Sequence, residues 1–346
     1  MPSIPTPIAG RFYRFVAPAC TVLLVAACAS PEASAPDASE LPSPTSAGGV
    51  PRDYQQVLAE LAPGPGSGAL ALVQTPEMTW RGASGNASPD RLAEAGDRFG
   101  IASTTKTFVA TVVLQLVGEG RLALDDVVES VLPGQVDGGE RITIRQLLNH
   151  TSGIGGPVGR HHYANENYVI LGHIVEMVTG APLEIVVRDR ILAPLDLENT
   201  TFGSASVGTE ASKSPPWLGS EVFAPIGPVA GAQGMVSTAD DLATFFKALL
   251  RGELLGEAEL SEMLRTVEGG FDTVAGQIPA PYRAGLGMFE LELPCGSPWG
   301  HGGDSEGYSN RVLVSRDGAT IVVVAQNARN FPGVNSRAAE MYCLEG

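Results

Sequence analysis

Ser103-Thr104-Thr105-Lys106-Thr107-Phe108-Val109-Ala110-Thr111-Val112-Val113-Leu114-Gln115-Leu116-Val117-Gly118 decides how the chain is read. From Thr104 to Val117 the stretch is apolar on nearly every side and stops at Gly118 and Gly120, the pattern of a buried helix rather than a surface one. Lys106 is one of only three lysines, with Lys213 and Lys247, and it follows Ser103 by three residues. That spacing sets both side chains on one helix face. An ammonium in such surroundings loses its hydration, which favours the neutral amine, and a neutral amine can take the proton of a serine hydroxyl that is otherwise a poor nucleophile. Ser103 also opens the helix, where outward-pointing N–H groups stabilise negative charge. Taken alone, the pair reads equally as a helix-capping serine followed by a snorkelling lysine.

Working outward, Ala69 to Gln74 and Met78 to Gly82 read as a hairpin turning at Thr75-Pro76-Glu77. Further helices are expected at Leu122 to Val131, Ile144 to Leu148, Asn167 to Val178, Pro182 to Ile191, Ala239 to Leu250 and Glu257 to Leu264, with Ser237 and Asp240 as a capping pair. Arg283 to Leu293, Tyr308 to Ser315 and Ala319 to Gln326 read as strands, the last two joined by Arg316-Asp317-Gly318, and Ser336 to Cys343 closes the chain as a helix. Strands at both ends with helices between imply an α+β fold: an antiparallel sheet built from both chain ends, flanked by helices, with an inserted all-helical lobe at about 119–266. A cleft between lobes is the default site.

The chain has 346 residues, is 44% hydrophobic and 17% charged, and has a net charge of −16, which argues against binding nucleic acid or an anionic lipid surface. Residues 1–27 read as a signal peptide, with Arg11 and Arg14 ahead of the apolar run Val16 to Ala27, so the protein is expected to be exported. Val25-Ala26-Ala27-Cys28 resembles the lipobox of bacterial lipoproteins, in which Cys28 would carry the lipid and anchor the chain to the outer face of the membrane; cleavage after Ala29 and secretion is the alternative. Residues 28–52, rich in Pro, Ser and Ala, read as a flexible tether to a folded domain over 53–346. Beyond the leader Cys295 and Cys343 remain, an even pair that suggests one disulfide in an oxidising compartment, two buried thiols being the other reading.

With these residues in view the sequence resembles the serine β-lactamase-like hydrolases of class C type, including D-alanyl-D-alanine carboxypeptidases and related esterases. Three motifs stand in that family's order: Ser103-Thr104-Thr105-Lys106, then Tyr163-Ala164-Asn165, then His301-Gly302-Gly303 leading into a strand. Between them lie Leu147-Leu148-Asn149-His150-Thr151-Ser152-Gly153 and Ala232-Gln233-Gly234-Met235-Val236-Ser237-Thr238-Ala239-Asp240-Asp241-Leu242, both typical of the family, and the likeness covers roughly 53–346. The resemblance implies that Ser103 attacks a carbonyl, that Lys106 and Tyr163 share its proton, that the tyrosine serves the leaving group and later water, and that His301 tunes the network. It implies further that Asn165 holds the substrate amide, and that Gly303 and Asp304 line the substrate, the N–H groups of Ser103 and Asp304 forming the oxyanion hole. It also places Cys295 and Cys343 where secreted carboxypeptidases of this group carry a disulfide.

The resemblance has departures. Gly302 stands where many members carry a hydroxyl residue that binds the substrate carboxylate; no Arg lies between Gly285 and His301, leaving Arg283 as a distant substitute; and only nine residues separate Gly153 from Tyr163, which points to a low cleft wall. Gly303-Asp304-Ser305-Glu306-Gly307 fits a nucleophile elbow, but a strand rather than a helix follows, and all five histidines precede Ser305. His150, His161, His162 and His173 match no metal-ligand spacing and read as solvated loop histidines, and no nucleotide motif follows a strand, so neither metal nor cofactor is expected. The expectation is a monomeric exported serine hydrolase, foremost a D-alanyl-D-alanine carboxypeptidase on peptidoglycan stem peptides. An esterase or β-lactamase with a small peptide or ester substrate is second, and a catalytically silent wall-binding lipoprotein is the alternative of another kind.

Overall fold

A computed structural model describes residues 53–202, 231–270, 281–305, 307–327 and 333–344. The leader, Cys28 and the tether to residue 52 lie outside the described residues. The strands are β1 Gly68–Gln74, β2 Thr79–Ser88, β3 Arg91–Leu92, β4 Phe99–Gly100, β5 Thr201–Phe202, β6 Met235–Ser237, β7 Val267–Gly270, β8 Tyr282–Ala284, β9 Phe289–Leu291, β10 Trp299–Ser305, β11 Tyr308–Val314 and β12 Ile321–Gln326. The helices are α1 Tyr54–Ala59, α2 Thr105–Gly118, α3 Val128–Val131, α4 Ile144–Leu148, α5 Asn165–Thr179, α6 Leu183–Val187, α7 Ala239–Leu250, α8 Glu257–Met263 and α9 Gly333–Cys343.

Among the described residues nine strands form one sheet in the order β3-β2-β1-β12-β11-β10-β9-β8-β7, and β1, the first strand in the chain, pairs antiparallel with the last, β12. Side-chain alternation gives this sheet two buried faces. Leu70 and Leu72 of β1, Val312 and Val314 of β11, and Val323 of β12 face the larger core with α2. Ala71 and Val73, Leu313, and Val322 and Val324 face the smaller core that α1, Leu61 just after it, and α9 close with Val57, Leu58, Val334 and Ala338. α7 also packs on the sheet, against β1, β11 and β12, while α3 to α6 gather around α2 and one another. Among the described residues, the inserted segment is helical apart from β5 and β6, which pair with β4 of the main body in a small sheet, β4-β6-β5.

Four local expectations change. Of Leu122 to Val131 only α3 is helical, because the Asp126 carboxylate accepts from the Ala123 N–H at 2.7 Å and competes with helix formation. Arg283 to Leu293 is two short strands, β8 and β9, folded about Gly287 at φ +79°. The cap of α7 is Thr238, accepting from Asp241 N–H at 3.2 Å, while Ser237 bonds Thr200. Finally, His301-Gly302-Gly303 lies inside β10 rather than ahead of a strand.

Candidate active site

A short 3-10 turn, Ala102–Thr104, precedes α2 and carries Ser103 against β10. β9 pairs with β10 only at Trp299 and Gly300, so from His301 onward that edge meets the serine turn instead of a strand. The approach is close enough to demand glycine: a Cβ at Gly303 would stand 2.0 Å from the Ile101 carbonyl oxygen. Asn310 of β11 locks the two together, its Nδ2 donating to Ile101 O and Gly303 O at 3.1 Å each while its Oδ1 accepts from Thr104 Oγ1 at 2.8 Å. Ala102 sits at φ +43°, a strained conformation for a residue with a side chain, and it directly precedes the nucleophile.

Lys106 is wholly buried, and its Nζ lies 2.9 Å from Ser103 Oγ, 2.9 Å from Asn165 Oδ1 and 2.7 Å from Ala232 O. Burial holds its pKa well below the ordinary lysine value, only partly opposed by the Glu166 charge. A neutral amine has two N–H donors and one lone pair. The two carbonyl oxygens can only accept, so they take the donors and leave the lone pair for the Ser103 hydroxyl proton. The rings of Tyr163 and Tyr168 stand 5.0 and 5.8 Å from Nζ, within range to stabilise the ammonium that forms when the amine takes that proton.

Tyr163 is half-buried in front of α5, its ring 6.5 Å from the His301 ring. The Nδ1–H of His301 donates to Gly302 O at 2.6 Å, which leaves the buried Nε2 as an acceptor with no partner among the described residues. Burial and the Lys106 charge push the His301 pKa down to about 3, so the ring is neutral at ordinary pH. Asn165 begins α5 with its oxygen held by Lys106, which turns its exposed amide N–H₂ toward the cleft. Asp304 is exposed near the end of β10, its carboxylate accepting from Ser309 Oγ.

The sequence misjudged two histidines, His150 and His161. His150 is buried, not solvated: its ring packs 4.4 Å from that of Tyr163, and its Nδ1 accepts from Ala164 N–H at 3.3 Å and from Asn167 Nδ2 at 3.0 Å. Burial, with the Lys106 charge, holds its pKa well below the usual histidine value. His161 likewise packs against Tyr282 and Phe289 and bonds Asn149 O at 3.0 Å, so the segment from Asn149 to Tyr163 is fixed to the β8–β9 hairpin. His162 and His173 are exposed, as expected. Arg283 donates to Thr266 Oγ1 at 2.8 Å on the exposed side of β8, with partners outside the site. Cys295 and Cys343 form a disulfide that ties the β9–β10 turn to α9. Among the described residues no three His, Cys, Asp or Glu side chains are grouped to hold a metal ion.

The model of the beta-lactamase family matches residues 59–342. The chain belongs to the beta-lactamase family. Members of this family are serine hydrolases, and a serine and an uncharged amine in contact are what such chemistry needs. Among solved structures, this beta-lactamase family chain is similar to a D-stereospecific amidohydrolase from Streptomyces sp., at 32% identity and TM-score 0.71 over 85% of this chain and 98% of that one. It is also similar to the D-amino acid amidase of Ochrobactrum anthropi SV3, at 25% identity and TM-score 0.73 over 85% and 99% of the two chains. An Escherichia coli K12 relative named "Putative D-alanyl-D-alanine carboxypeptidase" is 26% identical over 49% of this chain. The chain spans 54% of that relative's length, and 34% and 62% of the length of two penicillin-binding-protein relatives that it also matches.

Proposed function

We propose that the protein is an exported serine amidohydrolase that cleaves the amide bond formed by the carbonyl of a D-configured residue, with a D-alanyl-D-alanine peptide of the cell wall as the foremost substrate. The observation that carries this reading is the buried Lys106 amine 2.9 Å from Ser103 Oγ. Lys106 Nζ takes the hydroxyl proton as Oγ bonds to the carbonyl carbon, and the oxyanion forms between the serine turn and the edge of β10. The C–N bond then breaks, the leaving nitrogen takes a proton through Tyr163, and an ester on Ser103 remains. Water, giving its proton back through the same groups, releases the acid.

Stereochemical preference is supported by the likeness to the Streptomyces amidohydrolase, which covers nearly the whole of that chain. The carboxypeptidase reading is supported by the carboxypeptidase-named relative and by the disulfide from the β9–β10 turn to α9. A D-amino acid amidase is the second reading, favoured by Gly302, which offers no hydroxyl to a terminal carboxylate, and by the O. anthropi likeness. Hydrolysis of a diacetyl-Lys-D-Ala-D-Ala peptide, its L,L counterpart, a D-phenylalanine amide, a nitrophenyl ester and a chromogenic cephalosporin would be compared. The proposal expects the D,D peptide or the D-amide to be cleaved and the L,L peptide not. Turnover of the ester alone would sink it.

A further inference from the structure

Thr107 follows Lys106 on α2, is wholly buried, and donates from Oγ1 to Gly287 O at 2.8 Å. Gly287 is the corner of the β8–β9 hairpin, at φ +79°, and the space around it admits no side chain: a Cβ there would stand 2.4 Å from Ala110 Cβ, 2.9 Å from the Tyr168 hydroxyl oxygen and 3.4 Å from Lys106 O. The Gly287 N–H donates to Leu148 O at 3.2 Å, and the Tyr168 hydroxyl donates to the same carbonyl at 2.9 Å. A carbonyl oxygen has two lone pairs, so these two donors fill it. A chain of bonds thus runs from Thr107 through Gly287 and Leu148 to Tyr168. It joins α2, the hairpin corner, the end of α4 and α5 at one point beside Lys106.

Tyr168 also meets the two acceptors that hold the amine. Asn165, whose Oδ1 accepts from Lys106, lies three residues earlier on α5, one helical turn away. Ala232, whose carbonyl accepts from Lys106, follows Gly231, and a Cβ at Gly231 would stand 2.3 Å from Tyr168 O, so the backbone there rests on α5 at Tyr168. The Tyr168 ring itself lies 5.8 Å from Nζ and 5.3 Å from the His150 ring. Two phenols therefore border the amine, and they differ. Tyr163 is half-buried at the cleft, whereas Tyr168 is wholly buried with its O–H committed to Leu148 O. Burial, with the Tyr163 charge, holds the Tyr168 pKa well above the usual phenol value, so it keeps its proton at neutral pH.

From this chain of bonds we infer that Tyr168 is a positioning residue for the base: through Leu148 O and Gly287 its hydroxyl holds the first turn of α2 so that the Lys106 amine stays on Ser103, and it takes no part in proton transfer itself. The inference rests on the reading of Lys106 as the base and does not depend on which amide is cleaved. A lysine side chain has four rotatable bonds, and an amine acts as a base only within hydrogen-bond reach of the hydroxyl it serves. Fixing the helix turn that carries it, together with both acceptors of its N–H groups, is what keeps it there. Gly287 is part of the device, since any side chain at the corner would push the hairpin off Ala110 and the Tyr168 hydroxyl.

The test is the rate at which an alkyl fluorophosphonate labels Ser103 at pH 7, followed by intact mass, because that reagent reports serine reactivity whatever the natural acyl group. Tyr168→Phe keeps the ring and removes the O–H bond. It is expected to lower kinact about tenfold with KI nearly unchanged. In the Lys106→Met background the same change should have little further effect, because a residue that acts through the amine then has nothing to act on. Thr107→Val breaks the chain at its other end and should reproduce the loss, while Thr107→Ser should restore most of it, a check that does not depend on Tyr168→Phe folding. A native kinact in either Tyr168→Phe or Thr107→Val overturns the inference. So does a loss that persists in full beside Lys106→Met, which would be a general effect on the fold. If Lys106→Met is itself labelled at the native rate, the base reading fails and takes the inference with it. Slow labelling of Lys106→Met beside native labelling of Tyr168→Phe sinks the role of Tyr168 alone.

Discussion

Lys106 Nζ stands 2.9 Å from Ser103 Oγ, and its other two contacts, Asn165 Oδ1 and Ala232 O, can only accept hydrogen bonds. That division of donors and lone pair makes the amine a base aimed at one hydroxyl. The four side chains and backbone groups come from the α2 turn, the start of α5 and the approach to β6, so three separate parts of the chain must be in place before the serine is activated.

Replacing Lys106 with Met should lower kcat/KM on any turned-over substrate by about a thousandfold or more. The pH dependence follows from the depressed lysine pKa. The buried amine gives up its proton at a lower pH than an ordinary lysine does, so the acid limb of activity should lie below the ordinary lysine range. Between the unfolded value of 10.5 and the lower folded value, the unfolded chain holds a proton that the folded one lacks, so stability rises with pH across that window. Lys106→Met should remove that slope, which urea unfolding at pH 7 and pH 10 would measure.

His301 titrates at about 3 in the folded protein against 6.5 when free, so folding stability is lost as pH falls from 6.5 toward 3. At pH 4.5 this one ring should cost on the order of 2 kcal/mol relative to pH 7. In His301→Gln, which keeps a donor for Gly302 O, the drop between those two pH values should shrink by a similar amount in urea unfolding. An undiminished drop would place the acid sensitivity elsewhere.

Gly303→Ala should separate folding from function. The methyl group would meet the Ile101 carbonyl oxygen at 2.0 Å, so the serine turn must move away from β10. Loss of kcat by roughly a hundredfold is expected from the displaced nucleophile and oxyanion donors. The other two Lys106 contacts, Asn165 Oδ1 and Ala232 O, come from outside the turn, so the acid limb of the residual activity should keep its midpoint.

His150 holds Tyr163 by ring packing and by accepting from the next residue's N–H, and it does so at φ +59°. His150→Asn suits that backbone but removes the ring. We expect kcat to fall by roughly ten- to a hundredfold with KM nearly unchanged, since the tyrosine rather than the substrate loses its support. A rise in KM alone would contradict a positioning role.

Much of the frame was readable because its signals are local. The α2 stretch is apolar all round, and β11 and β12 alternate between two buried faces, so helix and strands declare themselves from Phe108, Val312 or Val323. The ordered motifs marked Ser103, Lys106, Tyr163 and His301, which the fold does bring together. What could not be read depends on contacts distant in sequence. Trp299 to Ser305 contains three glycines and has little strand propensity of its own, yet it is a strand because β11 and the serine turn close on it. The segment that starts at Ala232 stands out as a motif, but nothing in it points to the Ala232 backbone carbonyl as a partner of Lys106.

The mass of the intact protein after brief exposure to a slowly hydrolysed acyl donor tests the central claim most directly. The account predicts a single acyl adduct that is absent in Ser103→Ala and strongly slowed in Lys106→Met. An adduct that persists in Ser103→Ala, or one that forms at the native rate without the Lys106 amine, would contradict it.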